Sequence, residues 1–222
     1  MAVASGLYRP DAGAVVVDGT PRAFRSALDG IAAGISMVHQ HFMLVDRLTV
    51  AENVILGAAG ALFLRLREEE ETVAELSRRY GLAVEPRARV GSLAPGEQQR
   101  VEILAALYRG SRVLILDEPT SVLAPAEIES LFETVRALAG EGRSVVFISH
   151  KLDEVVGVCD RVSVMRGGRL VQTLEGADAE PSLLASLMVG RELPERAPRP
   201  DAPPPGEPSL VVRGLRVERG RG

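Results

Sequence analysis

Short, uninterrupted apolar runs recur along the chain, at residues 35–38, 113–116 and 145–148. Runs of this length that end at polar residues are typical of strands buried on both faces of a parallel sheet. A further strand over residues 14–17 ends at the Asp18-Gly19 turn signal, and two strands around Gly167-Gly168 predict a hairpin. The pattern therefore predicts a mostly parallel sheet with a few turns between neighbouring strands.

Helical spacing of apolar residues dominates between these strands. Thr49 and Glu52 form a Thr-x-x-Glu capping box that predicts the start of one helix, and a second helix is predicted over residues 64–80. Pro125 opens another helix, which continues to Gly140. We interpret residues 50–110 as a helical subdomain inserted into an α/β core, so the predicted fold class is α/β with flanking helices.

Composition limits the domain organisation. The 222 residues are 46% hydrophobic and 25% charged with a net charge of −4, which is typical of a soluble globular protein without a nucleic-acid surface. Cys159 is the only cysteine, so no internal disulfide is possible. Seven prolines within residues 194–208 predict a linker. We expect a first domain over residues 1–193, and the family resemblance carried by the motifs below implies that residues 209–222 begin a second domain.

Two adjacent carboxylates, Asp117 and Glu118, directly follow the apolar run at 113–116. An open α/β sheet binds its ligands at the carboxyl ends of its strands, and a carboxylate near a buried edge is costly without a partner. Mg²⁺ prefers carboxylate and phosphate oxygens, which suits Asp117. The next residue, Glu118, is suited to polarising a water molecule.

Polar side chains also follow two of the other apolar runs. Gln40 comes after residues 35–38 and lies between His39 and His41, and His150 comes after residues 145–148. Two nearby histidines suggest a metal site, but on an extended chain both point away from Gln40. We therefore do not favour a metal site at these two histidines. A lone histidine after a strand, as at His150, is more often a hydrogen-bonded polar residue than a catalyst.

Residues 114–121, Leu-Ile-Leu-Asp-Glu-Pro-Thr-Ser, resemble the Walker B motif and D-loop of the ATP-binding-cassette (ABC) ATPases. Gln40, the segment Pro-Gly-Glu-Gln-Gln-Arg at 95–100, and His150 resemble the Q-loop glutamine, the signature motif and the switch histidine, in the family's order. The resemblance covers about residues 7–190.

This resemblance implies a role for each matching residue. It implies that Asp117 and Gln40 bind Mg²⁺, that Glu118 polarises the attacking water, and that Gln40 and His150 assist catalysis at the terminal phosphate of ATP. It also implies that Gly96, Glu97 and Ser121 belong to the segments that bind nucleotide held by an opposite subunit. We expect Gly96 to lie just before a helix, where a glycine lets backbone N–H groups approach a phosphate at the helix N-terminus.

The chain departs from the family pattern in three places. The phosphate-binding loop Gly-x-x-x-x-Gly-Lys-Ser/Thr would precede Met1, and the only lysine is Lys151, so we interpret the sequence as truncated at its N terminus. Ala94 stands where the family usually has a serine, and a lost hydrogen bond to phosphate costs about 1.5–3 kcal/mol. Ala124 stands where the family commonly has an aspartate.

The resemblance implies an ATP-hydrolysing subunit, peripheral at the cytoplasmic face of the inner membrane. Residues 38–44 and 96–104 are similar to tandem ATPase subunits that power import of simple sugars or nucleosides. The implied partners are transmembrane permease subunits, a second cassette and, indirectly, a substrate-binding protein, without nucleic acid. The missing loop and both alanines favour an alternative, an inactive cassette fragment that docks a partner. An ABC ATPase acting on ribosomes or DNA is disfavoured by the acidic charge balance.

Overall fold

The computed structural model describes residues 1–57, 65–190 and 211–216. The predicted linker at 194–208 lies outside these residues, as does Leu64, the predicted first residue of the second helix. Residues 211–216, in the predicted start of a second domain, are exposed and form neither helix nor strand.

Strands and helices alternate along most of the described chain. The strands are β1 (Val15–Val17), β2 (Thr20–Arg22), β3 (Ile35–Val38), β4 (Val113–Asp117), β5 (Ser144–Ile148), β6 (Arg161–Arg166) and β7 (Arg169–Glu175). The helices are α1 (Ala27–Ala32), α2 (Val50–Ile55), α3 (Leu66–Arg79), α4 (Pro95–Tyr108), α5 (Pro125–Gly140), α6 (Leu152–Val158) and α7 (Pro181–Val189).

Strands β3, β4 and β5 form a parallel sheet in that spatial order, which confirms the predicted parallel arrangement. The register pairs Val38 with Leu116 and Asp117 with Ile148, so the three carboxyl ends lie level with one another. Strand β4 is central and its middle residues are buried, as its apolar sequence predicts. Antiparallel pairs form between β1 and β2 and between β6 and β7, and the second pair confirms the predicted hairpin.

The main core lies between the sheet and the helices that separate β3 from β4. Helix α4 has buried residues along most of its length, and it packs against α2, α3 and β3. Fully buried side chains from α4, β4 and α5 meet in one cluster, which includes Leu104, Leu116 and Leu138. This packing fixes the N-terminus of α4 relative to the carboxyl end of β4.

Helix α2 begins as its sequence predicts. The hydroxyl of Thr49 accepts a hydrogen bond from the Glu52 N–H at 3.2 Å, and the Glu52 carboxylate accepts one from the Thr49 N–H at 2.7 Å. These reciprocal bonds confirm the capping box and satisfy two N–H groups that a helix end leaves unpaired.

Two local predictions are wrong. Gly96 does not precede its helix: α4 begins at Pro95, so Gly96 lies in the first turn and is buried there. Strand β5 is not fully buried, because its four apolar side chains are only partly covered. It pairs with β4 alone, so within the described residues it is an edge strand.

Candidate active site

The order of strands in the parallel sheet brings three of the predicted site residues together. Glu118 follows the central strand β4, while Gln40 and His150 follow its two neighbours, β3 and β5. Parallel strands present their carboxyl ends at one edge of the sheet, so the three side chains converge although up to 110 positions separate them.

The carboxylate of Glu118 is contacted on both of its oxygens. Nε2 of Gln40 donates a hydrogen bond to Oε2 at 3.2 Å, and Nδ1 of His150 lies 3.1 Å from Oε1. An ionised carboxylate only accepts hydrogen bonds, so Nδ1 of His150 is the donor and its Nε2 is left for another group. The Glu118 and His150 side chains are 30% and 64% exposed, which leaves both accessible to water and ligand.

The backbone at Glu118 adopts a left-handed conformation with φ of +47°. Residues with a Cβ rarely occupy this region, and they persist there where surrounding contacts determine the conformation. Here the Glu118 N–H donates to the carbonyl of Ile148 at 2.9 Å, and its carbonyl accepts from the Ser121 N–H at 3.2 Å. The bend turns the carboxylate away from the strand direction and towards Gln40 and His150.

Asp117 is the last residue of β4 and is half-buried beside Glu118. No salt bridge within the described ranges engages its carboxylate, so its oxygens remain available to a ligand. The amide of Gln40 donates through Nε2 to Glu118, which leaves its carbonyl oxygen free as an acceptor. One carboxylate and one carbonyl oxygen fit Mg²⁺, which usually takes few protein ligands and completes its shell with water and phosphate.

Gly96 and Glu97 form a second, separate part of the predicted site, at the N-terminus of α4. Glu97 accepts a hydrogen bond from the Ala94 N–H at 2.8 Å, so its carboxylate caps its own helix. A Cβ at Gly96 would overlap the carboxylate of Glu127, which belongs to α5. A Cβ at this position would require the Glu127 carboxylate to shift, so Gly96 allows the two helices to approach closely here.

Ser121 lies in the exposed turn that links Glu118 to α5. Its N–H contributes the bond to the Glu118 carbonyl, and Leu123 and Ala124 continue the turn into α5. Glu127 accepts a hydrogen bond from the Ala124 N–H at 3.0 Å and lies 3.9 Å from Arg100. This turn and the start of α4 therefore share one carboxylate, which sequence reasoning did not single out.

Glu102 is another functional candidate that the sequence did not reveal. It lies on α4, is buried, and its carboxylate accepts from the N–H of Met43, three residues after Gln40. Burial raises the pKa of the Glu102 carboxyl, while the Met43 N–H and the nearby Arg109 oppose that rise. Its sequence signal was an acidic residue directly before the apolar run at residues 103–107.

The described ranges contain neither a metal-binding cluster nor a membrane-spanning helix. No cluster of three or more histidine, cysteine, aspartate or glutamate side chains is arranged to hold a metal ion in residues 1–57, 65–190 and 211–216. In the same ranges, no helix combines the length and the apolar character needed to cross a bilayer.

Comparison with known families and proteins gives a consistent result. Residues 1–121 match a family described as ABC transporter. The chain is 44% identical over its whole length to the nucleoside import ATP-binding protein NupA of Lactococcus lactis subsp. cremoris (strain MG1363), covering 44% of that protein. It is 46% identical over 96% of its length to the ribose import ATP-binding protein RbsA 1 of Rubrobacter xylanophilus, covering 43%. The chain thus spans less than half the length of these curated relatives.

Solved structures share the fold. A nucleotide-free ATP-binding cassette from an ABC transporter superposes with a TM-score of 0.71 at 22% identity, over 84% of this chain and 80% of the other. A second ATP-binding cassette of an ABC transporter, MJ1267, gives a TM-score of 0.73 at 21% identity over the same shares. At this identity the likeness concerns the fold alone.

Proposed function

The chain belongs to the ABC transporter family, and from this premise we propose that it is an ATP-binding and ATP-hydrolysing cassette that powers import of a simple sugar or nucleoside. The names of its relatives support this proposal over an inactive docking fragment, because they are import ATP-binding proteins for nucleosides, guanosine, ribose and glucose.

The observation that carries the proposal is the double contact on the Glu118 carboxylate. Gln40 and His150 approach its two oxygens from the neighbouring strands, at 3.2 and 3.1 Å. Two contacts fix the orientation of the carboxylate, as a positioned general base requires. A carboxylate needed only for stability would not require a strained backbone at the exposed end of a strand.

Each residue then has a role in phosphoryl transfer to water, a reaction that enzymes catalyse mainly by positioning and charge neutralisation. Glu118 accepts a proton from the attacking water. His150 donates Nδ1–H to Glu118 and presents Nε2 to the terminal phosphate. Asp117 and the carbonyl oxygen of Gln40 would hold Mg²⁺, which neutralises charge on the phosphates when bound.

The N-terminus of α4 serves a different nucleotide in this proposal. Gly96 and Glu97 begin that helix, and Ser121 lies in the nearby exposed turn, so they offer a surface to ATP held by a second cassette. Transmembrane permease subunits are the proposed route of the substrate, with a substrate-binding protein acting on them. The cassette would attach to the cytoplasmic face of the membrane through these permeases.

The direct test measures Mg²⁺-dependent ATP hydrolysis by the assembled transporter that carries this cassette. We expect Glu118→Gln to lower kcat by about 100-fold or more, since general-base catalysis contributes factors of this size. The KM for ATP should change little, because glutamine keeps the size of the side chain and its carbonyl still accepts from Gln40.

A matched control is Glu129→Gln, which removes one exposed carboxylate from α5 and leaves the site untouched. Labelled ATP titrated onto the purified chain measures nucleotide affinity in parallel. Hydrolysis that is equally fast in Glu118→Gln and Glu129→Gln would overturn the assignment of Glu118 as the base.

A further inference from the structure

The strained backbone of Glu118 raises the question of what holds it in place. Its carboxylate meets Gln40 and His150, but both are exposed side chains that water can replace. A left-handed residue persists where its surroundings determine the conformation, so other contacts near Glu118 must resist its relaxation.

A compact polar cluster lies two residues further along the chain. The hydroxyl of Thr120 donates to Oε2 of Glu154 at 2.6 Å, and the carbonyl of Thr120 accepts from Nζ of Lys151 at 3.0 Å. Lys151 and Glu154 also pair with each other, with Nζ 3.2 Å from Oε1. Thr120 is therefore held through its side chain and its backbone at once.

These three residues are shielded from water to different degrees. The shielding makes their contacts more stabilising than those of an ion pair on the surface. Thr120 is only 2% exposed, and the side chains of Glu154 and Lys151 are 14% and 39% exposed. Exposed ion pairs contribute little, whereas charged hydrogen bonds shielded from water are stronger and more directional. Removing one partner would leave a nearly buried hydroxyl or carboxylate without its bond.

The cluster joins the same two chain segments that are joined by the contact between Glu118 and His150. Lys151 directly follows His150, and Thr120 lies two residues after Glu118. The hydrogen bond from Lys151 to Thr120 therefore holds together the segments that carry His150 and Glu118.

We propose that Lys151 and Glu154 are positioning residues that clamp the turn after Glu118 against the start of α6 and so keep its carboxylate within reach of His150. The consequence for hydrolysis rests on the proposed function; the clamp itself does not. Lys151 is the only lysine in the chain, and its ammonium binds a backbone carbonyl instead of a phosphate.

The first test is amide hydrogen exchange on the full chain without nucleotide. In Lys151→Met and in Glu154→Gln, we expect the amides of Glu118 and Ser121 to exchange about tenfold faster than in the wild type, since local opening would no longer be resisted. The amide of Leu116, inside β4, should not change.

The matched control is Asp153→Asn, which removes a carboxylate from the same turn of α6 at an exposed position. It should leave the Glu118 amide unchanged. A merely structural role would loosen α6 alone, so faster exchange confined to amides such as Val155 would overturn the clamp. Two independent variants are used so that a folding failure in one leaves the other informative.

The second test measures ATP hydrolysis by the assembled transporter. Lys151→Met should lower kcat by about tenfold with KM for ATP unchanged, because a misplaced base slows the chemical step without weakening binding. Lys151→Arg should recover much of the loss, since a guanidinium still pairs with Glu154. Unchanged kcat in an active assembly overturns the proposal. If the wild type itself fails to hydrolyse ATP while the exchange result holds, the proposed function fails and the clamp stands.

Discussion

The carboxylate of Glu127 packs directly against the backbone of Gly96, so that the first turn of α5 and the first turn of α4 meet at one point. Glu127 cannot easily move aside, because it accepts from the Ala124 N–H and lies 3.9 Å from Arg100. The first turn of α4 and the turn that leads into α5 belong to the surface that we propose faces a second cassette. Their relative position is therefore set by a contact across two helices.

This contact predicts the effect of adding one methyl group. We expect Gly96→Ala to lower the free energy of unfolding by about 1–2 kcal/mol, because overpacking costs about 1–3 kcal/mol and helix propensity returns up to about 1. Urea unfolding measures the change. In a Glu127→Ala background the same substitution should be neutral or stabilising, and simple additivity of the two substitutions would contradict the packing argument.

The two Ala-Pro-x-Glu segments at 94–97 and 124–127 predict a paired capping experiment. In both, the glutamate accepts from the alanine N–H, at 2.8 and 3.0 Å, but the alanine has no hydroxyl to complete the box. We expect Ala94→Ser and Ala124→Ser each to raise the free energy of unfolding by about 1 kcal/mol. Thermal or urea unfolding of the two variants measures this gain.

The same two variants distinguish the effect of helix capping from the effect of a contact with nucleotide. By family resemblance, a hydroxyl at position 94 lies towards the phosphate, so Ala94→Ser should also lower the KM for ATP in the assembled transporter. Ala124→Ser serves as the control with equal stabilisation and no change in KM. An equal change of KM in both variants would show that stability alone is responsible.

Burial of Glu102 predicts a specific pH dependence. Its pKa in the folded state is raised above the ordinary value of 4.5, so the folded chain holds this proton more tightly than the unfolded chain. Its contribution to stability is therefore full below pH 4.5 and is lost as the pH rises through the folded-state pKa. We expect Glu102→Gln, which accepts from the Met43 N–H without a charge, to flatten this decline.

Urea unfolding at several pH values between about 4 and 8 measures the Glu102 effect, a range chosen to span the ordinary glutamate pKa. Near neutral pH the glutamine variant should be at least as stable as the wild type. Glu133→Gln, which changes an exposed glutamate on α5, should leave the profile unaltered. A variant profile as steep as that of the wild type would exclude Glu102 as the source.

The left-handed conformation of Glu118 predicts a difference between two substitutions that both remove its carboxylate. Glu118→Gly should be more stable than Glu118→Ala by about 1–2 kcal/mol, because a Cβ is strained at this φ and glycine has none. Unfolding experiments on both variants measure the difference. At the adjacent strand residue Asp117 the order should reverse, since glycine weakens a strand; the same order at both sites would refute strain as the cause.

Local patterns in the sequence were sufficient for most of the secondary structure. The strands β3, β4 and β5, the capping box at Thr49, and the start of α5 at Pro125 follow from residue type and spacing within a few positions. Burial was less predictable. The apolar residues of β5 gave no sign that it has one neighbour in the described sheet, because sheet order is a property of the whole fold.

The sequence by itself determined where the candidate side chains stand: Gln40, Asp117, Glu118 and His150 each follow an apolar run, and parallel strands place such positions at one edge. Only the tertiary structure decided which of them touch. It placed β4 between its neighbours, bent the backbone at Glu118, and brought Lys151 and Glu154 to Thr120. Local propensity acts over one turn or one strand, whereas contacts between distant residues depend on how the elements pack.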